Sequence, residues 1–377
     1  MSDFTTRPLH EQDWQDALIL HRRVYGETGF DRLRHAPAFQ YETVQGGFYR
    51  GILVSMARVR FATLRYGRVQ WRVGIVSDVA TDPDFQRRGF AHQVMQDTLA
   101  TIAVGGAQLA ILNAGVTGYY HRFGFSSFLP HYKLTISTEA ALSLPTATHV
   151  YPAAVEDTRT LATLYHAHWG GRITLLREPV LWSYRIAEQA PLAAFNENGQ
   201  IAGYSWRHPH YDSRAELVAE NPAAALALVR RDGDLAYQQH RNEIHWIMPP
   251  DDPIISYLRP HLDITLSAQY RPSRGWMARM MDSASFIHIL NREMIAHLKE
   301  MHPEHSAVPM IHISPESVTV QFGNMRLRLI PRDFIQLVFG TLNPEMLAAQ
   351  LGVSYETVEW LGWLFPPRSA CIAAWDW

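Results

Sequence analysis

Apolar positions in the first third of the chain follow two periods, one suited to strands and one to helices. Thr5-Thr6-Arg7-Pro8 is a short extended start. Over residues 10–25, Trp14, Leu18, Leu20 and Val24 recur at near-helical spacing, and Glu11 and Asp13 supply an acidic helix entry. Residues 48–64 are predicted extended, with Ile52, Val54 and Met56 alternating against polar or small partners. Tyr66-Gly67 marks a turn, and residues 69–79 form the returning strand. Over residues 90–104, Val94, Met95, Thr98, Leu99 and Ile102 draw one apolar stripe, which predicts an amphipathic helix. Residues 109–112 read as a short buried strand. The mixture predicts an α/β unit closing near Ile136 or Thr138.

Residues 137–148 are polar and rich in Ala, Ser and Pro, the composition of a linker. A second unit starts like the first, with an extended segment and a helix over residues 155–168. Strand-like Gly203-Tyr204-Ser205-Trp206 and helical residues 223–229 follow. A third unit opens with a helix over residues 286–301. Strands over 310–313, 318–322 and 325–330 come next, then helices over 331–340 and 344–351. The division expected is 1–140, 141–281 and 282–377, with no short repeat and no low-complexity segment.

Composition narrows the function. Hydrophobic residues make up 47% of the 377 and charged residues 19%, so the chain builds cores and is not disordered. Lys and Arg number 34 against 36 Asp and Glu, a net charge of −2 that disfavours a nucleic-acid binder. Cys371 is the single cysteine, so no intramolecular disulfide forms. No signal-peptide pattern opens the chain. The longest apolar stretch, residues 102–116, is interrupted by Gln108 and Asn113 and is too short to span a bilayer. A cytoplasmic protein without a membrane partner is expected. Among the 19 histidines, the pairs His166/His168, His208/His210 and His302/His305 have no convincing third ligand, so no metal is expected.

The chemistry concentrates between Val76 and His92. A β-branched strand runs into a polar loop, then Gln86-Arg87-Arg88-Gly89-Phe90-Ala91, then the amphipathic helix. Such a turn points backbone N–H groups outward at a helix N-terminus, where anions bind. Gly89 allows close approach to a phosphate, and Arg87 and Arg88 add pairing charge. The segment has neither the Gly-Lys-Ser/Thr of a P-loop nor the three glycines of a dinucleotide fingerprint.

Gln-x-x-Gly-x-Ala in this setting resembles the acetyl-CoA motif of the GNAT acetyltransferases. Tyr119-Tyr120-His121-Arg122-Phe123-Gly124-Phe125 resembles the Tyr-x-x-Phe-Gly-Phe/Tyr run that follows their fifth strand. Over the whole length, the three-unit layout and the passage Trp276-Met277-Ala278-Arg279-Met280-Met281-Asp282 resemble the Eis-like ("enhanced intracellular survival") acetyltransferases. The resemblance implies tandem GNAT folds with mixed central sheets, the second degenerate, and a C-terminal sterol-carrier-like α+β domain. In the second unit only Arg230-Arg231-Asp232-Gly233 shadows the motif.

Roles follow from the same resemblance. The backbones of Val79 and Thr81 would hold the pantetheine arm of acetyl-CoA, and Gln86, Arg87, Arg88, Gly89, Phe90, Ala91 and His92 its pyrophosphate. Tyr120 would be the general acid and the Trp377 carboxylate the general base, in direct transfer to a small-molecule amine, aminoglycoside-like or otherwise polycationic. A homohexamer is implied. Tyr119 competes with Tyr120 for the acid. Glu27, Asp31 and Asp376 are candidates for the acceptor site, with solvated loop acids or a salt bridge as the plainer reading. The alternative function is a non-catalytic acyl-CoA or lipid sensor. Residues 346–360 read as helix, Gly turn, Ser cap, helix. Glu356 and Glu359 there would repel a DNA backbone, so these helices are assigned to the third unit's fold.

Overall fold

A computed structural model describes residues 3–26, 30–37, 39–129, 131–146, 149–208, 211–269, 275–304, 307–314, 316–366, 368 and 370–371. The first stretch holds strands β1 (Phe4–Pro8), β2 (Val44–Tyr49), β3 (Ile52–Tyr66), β4 (Val69–Thr81), β5 (Leu109–Ala114), β6 (Ser126–Leu129) and β7 (His131–Ser137). Helices α1 (Trp14–Tyr25), α2 (Phe90–Val104), α3 (Thr117–His121) and α4 (Thr138–Ser143) lie among them. The middle holds β8 (Val150–Pro152), α5 (Thr158–His168), β9 (Ile173–Leu176), α6 (Pro179–Glu188), β10 (Leu192–Phe195), β11 (Ile201–His208) and β12 (Tyr211–Ala219). It continues with α7 (Pro222–Gln238), β13 (Glu243–Trp246), α8 (Pro253–Leu258), β14 (Thr265–Gln269) and β15 (Gly275–Met280). The last part holds α9 (Ser283–Met301), β16 (Met310–Ile313), β17 (Val318–Phe322), β18 (Met325–Leu329), α10 (Pro331–Val338), α11 (Pro344–Leu351), α12 (Tyr355–Leu364) and β19 (Ala370–Cys371).

The main sheet is mixed, in the order β1-β2-β3-β4-β5-β15-β6. Within that order pairing is antiparallel except between β4 and β5, which run parallel. The far end of β3 also pairs with β9, and β9 with β19. Separate sheets are β12-β11-β10-β8, β13-β7-β14 and β16-β17-β18.

Three expectations differ from the structure. The unit expected to close near Ile136 or Thr138 sends its last strand, β7, into pairing with β13 and β14. Between β5 and β6 lies β15 from much later in the chain, whose Trp276, Met277 and Ala278 are buried, as suits a strand covered on both faces. The stretch over residues 48–64 breaks at Arg50 and Gly51, both at positive φ (51° and 80°), the requirement of a tight hairpin. The expected linker contains α4, capped by Ser137 Oγ, which accepts from the Ala140 amide at 3.0 Å.

Alternation along β4 explains how the layers stack. Val69, Trp71, Val73 and Ile75 face the third unit and share one buried core with Phe286, Leu290 and Met294 of α9. Trp71 stacks on Phe286 with centroids 4.6 Å apart, and Tyr66 Oη donates to the Val338 carbonyl at 2.9 Å. On the opposite face, Val94, Met95, Leu99 and Ile102 of α2 cover Val76, Ala110 and Leu112. In the suspected helix-turn-helix, Gly352 (φ 65°) ends α11 and Ser354 caps α12. Trp360, Leu361 and Leu364 then point into the core that the third unit shares with the main sheet. Among the described residues, no helix is long and apolar enough to cross a membrane.

Candidate active site

The site is built where two parallel strands part. β4 and β5 pair from Val73↔Leu109 to Val76↔Leu112 and no further, although β4 runs on to Thr81. On its other edge β4 stays paired with β3, but the register shifts: Arg58 faces Ser77 and Met56 faces Ala80. Ala57 therefore opposes two residues, Asp78 and Val79, which is a β-bulge. Asp78 carries it at φ 51°.

Asp78 is held from several sides. Arg58 Nε donates to its Oδ2 at 2.6 Å and Ser77 Oγ at 2.8 Å, while His21 Nε2 of α1 lies 3.4 Å from Oδ1. Burial alone pushes the carboxyl up. The Arg58 charge and the hydrogen bonds from His21 and Arg58 outweigh it and hold Asp78 well below the usual carboxylate range. The neighbouring Val79 carbonyl accepts from Tyr25 Oη at 2.6 Å.

Beyond Thr81 the loop is pinned and then opens. Asp82 Oδ1 accepts from the Asp84 amide, and Arg23 of α1 pairs with Asp82 at 2.5 Å and Asp84 at 2.9 Å. Gln86 Nε2 reaches the Thr81 carbonyl at 3.4 Å, and Arg88 donates to the Asp84 carbonyl at 3.2 Å. Arg87 (φ 62°) and Gly89 (φ 86°) turn the chain into α2. A β-carbon at Gly89 would meet nothing within 4 Å, so the approach to this turn is open. Among the described residues, no acceptor meets the backbone N–H groups of Arg88, Gly89, Phe90 and Ala91. Four free donors, the positive end of a helix dipole and the exposed Arg87 and Arg88 form a donor set that fits a phosphate-bearing ligand.

The structure brings the two motif runs together. The ring of His92 stacks on Phe123 at 4.9 Å. Val79, Tyr119 and Tyr120 pack against one cluster containing Val76, Val94, Phe123 and Phe125. Tyr119 and Tyr120 meet edge to face at 5.0 Å. Burial pushes Tyr120 up to about 12. Burial first, and the neighbouring Tyr120 second, push Tyr119 further. The Tyr119 hydroxyl is buried with no hydrogen-bond partner among the described residues, an orphaned donor beside the opening between β4 and β5.

Other candidates are not gathered here. Asp31 is exposed on the 3-10 turn Phe30–His35. Glu27, Asp376 and Trp377 lie outside the described residues. Sequence reasoning missed His21, Tyr25, Arg23, Arg58 and Asp78. The one available signal was polar: His21 interrupts the buried side of α1, and Asp78 a β-branched strand. Among the described residues no three His, Cys, Asp or Glu side chains converge as a metal centre requires.

Residues 5–128 match the family model of an acetyltransferase (GNAT) domain, and the match spans this whole arrangement. This part of the chain is a GNAT acetyltransferase domain. No curated protein matches the chain in sequence. The fold of the whole chain, GNAT domain included, is similar to a GCN5-related N-acetyltransferase from Kribbella flavida: TM-score 0.70 and 17% identity, covering 98% of this chain and 97% of that one. It is also similar to a GCN5-related N-acetyltransferase from Anabaena variabilis, with TM-score 0.67 and 12% identity over 98% and 99% of the two chains. Eis1 from Mycobacterium abscessus shares the fold at TM-score 0.62 and 16% identity over 98% and 99%. At these identities the likeness is one of fold, and the expected mixed α/β architecture stands on it.

Proposed function

We propose that the chain is an acetyl-CoA-dependent N-acetyltransferase acting on primary amines of small cationic molecules, aminoglycoside-like acceptors among them. The observation that carries this reading is the opening between β4 and β5. It runs from the free N–H groups at the start of α2, past the Val79 and Thr81 main chain, to Tyr119 and Tyr120. Residues 86–92 hold the pyrophosphate, and Val79 and Thr81 extend a strand-like edge to the pantetheine arm. Acetyl-CoA supplies an activated acyl thioester. An amine attacks its carbonyl, the C–N bond forms, the C–S bond breaks and the amine proton leaves to a base. Tyr120, protonated at neutral pH, gives its proton to the departing thiolate.

The base in this proposal is the Trp377 carboxylate. With a pKa of about 3.3–3.7 an α-carboxyl is a weak base, so proximity must supply its advantage. Strand direction supports it. β9 is antiparallel to β3 and β19 parallel to β9, so β19 points the same way as β4, toward Thr81. Cys371 faces Thr174, which faces Arg65. A run of six residues can reach at most about 20 Å. The same rise carries β3 from Arg65 to Val59, opposite Val76, where the opening begins. In this proposal residues 1–140 form the catalytic unit, 141–281 a degenerate GNAT-like unit and 282–377 a sterol-carrier-like unit that delivers the tail. Asp31, with Glu27 and Asp376, attracts the cationic acceptor.

Release of free thiol from acetyl-CoA with a panel of amines tests the reading. Tyr120→Phe is expected to lower kcat about 100-fold or more with acetyl-CoA binding retained. Removing Trp377, or extending the chain beyond it, is expected to abolish turnover with the fold intact by circular dichroism. Full activity of the extended chain overturns the carboxylate assignment. Binding of acetyl-CoA without thiol release for any amine overturns the enzyme in favour of a sensor.

A further inference from the structure

Asp78 sits at φ 51° inside a long strand, a left-handed conformation that most residues with a β-carbon avoid and that Asp and Asn tolerate best. Such a residue persists where its surroundings over-determine it. Here they do: Arg58 from β3, Ser77 from its own strand and His21 from α1 converge on one carboxylate. Arg58 and His21 are themselves buried. The tie continues past Asp78. The His21 ring lies flat on Phe30 at 4.0 Å and 8°, and Phe30 opens the 3-10 turn Phe30–His35 after α1. Four residues beyond His21, Tyr25 Oη donates to the Val79 carbonyl. Asp78, His21 and Tyr25 together thus couple the bulge, the strand edge beyond it and the segment leaving α1.

We propose that Asp78 is a positioning residue for acyl transfer: its bonds to Arg58, Ser77 and His21 fix the β4 bulge against α1, and so fix the Val79 main chain relative to the acceptor side of the site. This rests on the reading of Val79 and Thr81 as the edge that holds the acyl donor. Asp78 touches no reacting atom. It acts through the backbone that follows it. A bulge is a device for re-aiming a strand, and a small misplacement of a reacting group costs rate before it costs binding.

Two variants separate this role from plain stability. Asp78→Asn keeps the shape and the tolerance for positive φ but loses the charge that pairs with Arg58. Asp78→Gly removes the conformational cost and the tie together. Both are expected to lower kcat at saturating substrates about tenfold or more, with the acetyl-CoA dissociation constant, read by calorimetry, within about threefold of the native chain. Arg58→Met, which breaks the tie from the other side, is expected to do the same. Assays run well below each variant's melting temperature, so lost stability does not enter kcat. Native kcat in Asp78→Gly overturns the proposal. Loss of binding in parallel with kcat also overturns it, since Asp78 would then shape the donor site as a whole. Calorimetry on the native chain separates these outcomes from failure of the donor reading: a native chain that binds no acetyl-CoA overturns both.

Discussion

At the scale of single residues, the site combines groups whose chemistry is local with groups whose partners are distant. Gly89 belongs to the first kind. Its φ of 86° is left-handed and its surroundings are open, so Gly89→Ala meets no clash but pays a conformational cost of about 1–2 kcal/mol. Acetyl-CoA affinity is expected to fall about tenfold, read by calorimetry, as the turn relaxes away from its donor geometry. Residues 86–92 could be proposed from sequence because a phosphate cradle needs only a glycine, a helix start and nearby charge, all within one short run. Asp78 belongs to the second kind. Besides the adjacent Ser77, its partners are Arg58, a strand away, and His21, on another element, and no local pattern announces those two. Its carboxyl is depressed in the fold, so the stability it contributes is full above the unfolded value of about 3.9 and is lost as pH falls below that. The stability gap between the native chain and Asp78→Asn is expected to be flat above about pH 5 and to narrow below about pH 4 in urea titrations.

At the scale of elements, the clearest prediction concerns the β3–β4 hairpin. Glu293 of α9 is almost wholly buried, and Arg368, just ahead of β19, donates to it at 2.6 Å. The Arg68 amide in the hairpin donates to it at 2.9 Å. Gly67 makes room for this junction. Its φ is 56°, and a β-carbon there would fall on Glu293 Oε1 and Arg368 Nη1. Gly67→Ala therefore strains the backbone and splits a buried pair, at about 3–5 kcal/mol. Chemical denaturation is expected to show that loss, with a smaller loss for the exposed Gly51→Ala. The sequence read Tyr66-Gly67 as a turn but could not show that the third unit closes over it. It read α2 correctly end to end, because five stripe residues repeat at helical spacing. It missed the Arg50–Gly51 hairpin because Arg-Gly is not one of the Asn-Gly or Asp-Gly pairs that mark such a turn, and α4 because a short helix capped by one serine leaves little pattern.

At the scale of the whole molecule, chain order and spatial order separate. β7 is spent in the β13-β7-β14 sheet, and β15 comes back to lie between β5 and β6. Periodicity identified β4 and β5 but not β7 or β15, and it could not have paired them, since strand exchange changes no hydrophobic pattern. The consequence is physical. A fragment of residues 1–140 lacks β15, so β5 and β6 each present an unpaired edge where the chain buries Trp276, Met277 and Ala278. It also uncovers Val69, Trp71, Val73 and Ile75, which pack against α9 and the helices after it. A fragment of residues 1–281 restores the strand but leaves that apolar face in water, an area large enough to drive association. Both fragments are expected to aggregate or to lack native near-ultraviolet dichroism. In the whole chain, Trp71 and Trp360 contribute to one core, so the main sheet and the third unit should lose their structure together. Denaturant unfolding followed by fluorine NMR of fluorotryptophan-labelled chain, with the Trp71 and Trp360 resonances among the eleven assigned from Trp71→Phe and Trp360→Phe, is expected to give coincident midpoints. An early transition at Trp360 with Trp71 still protected would mean that the third unit unfolds independently and that the shared core does not bind the two parts into one cooperative body.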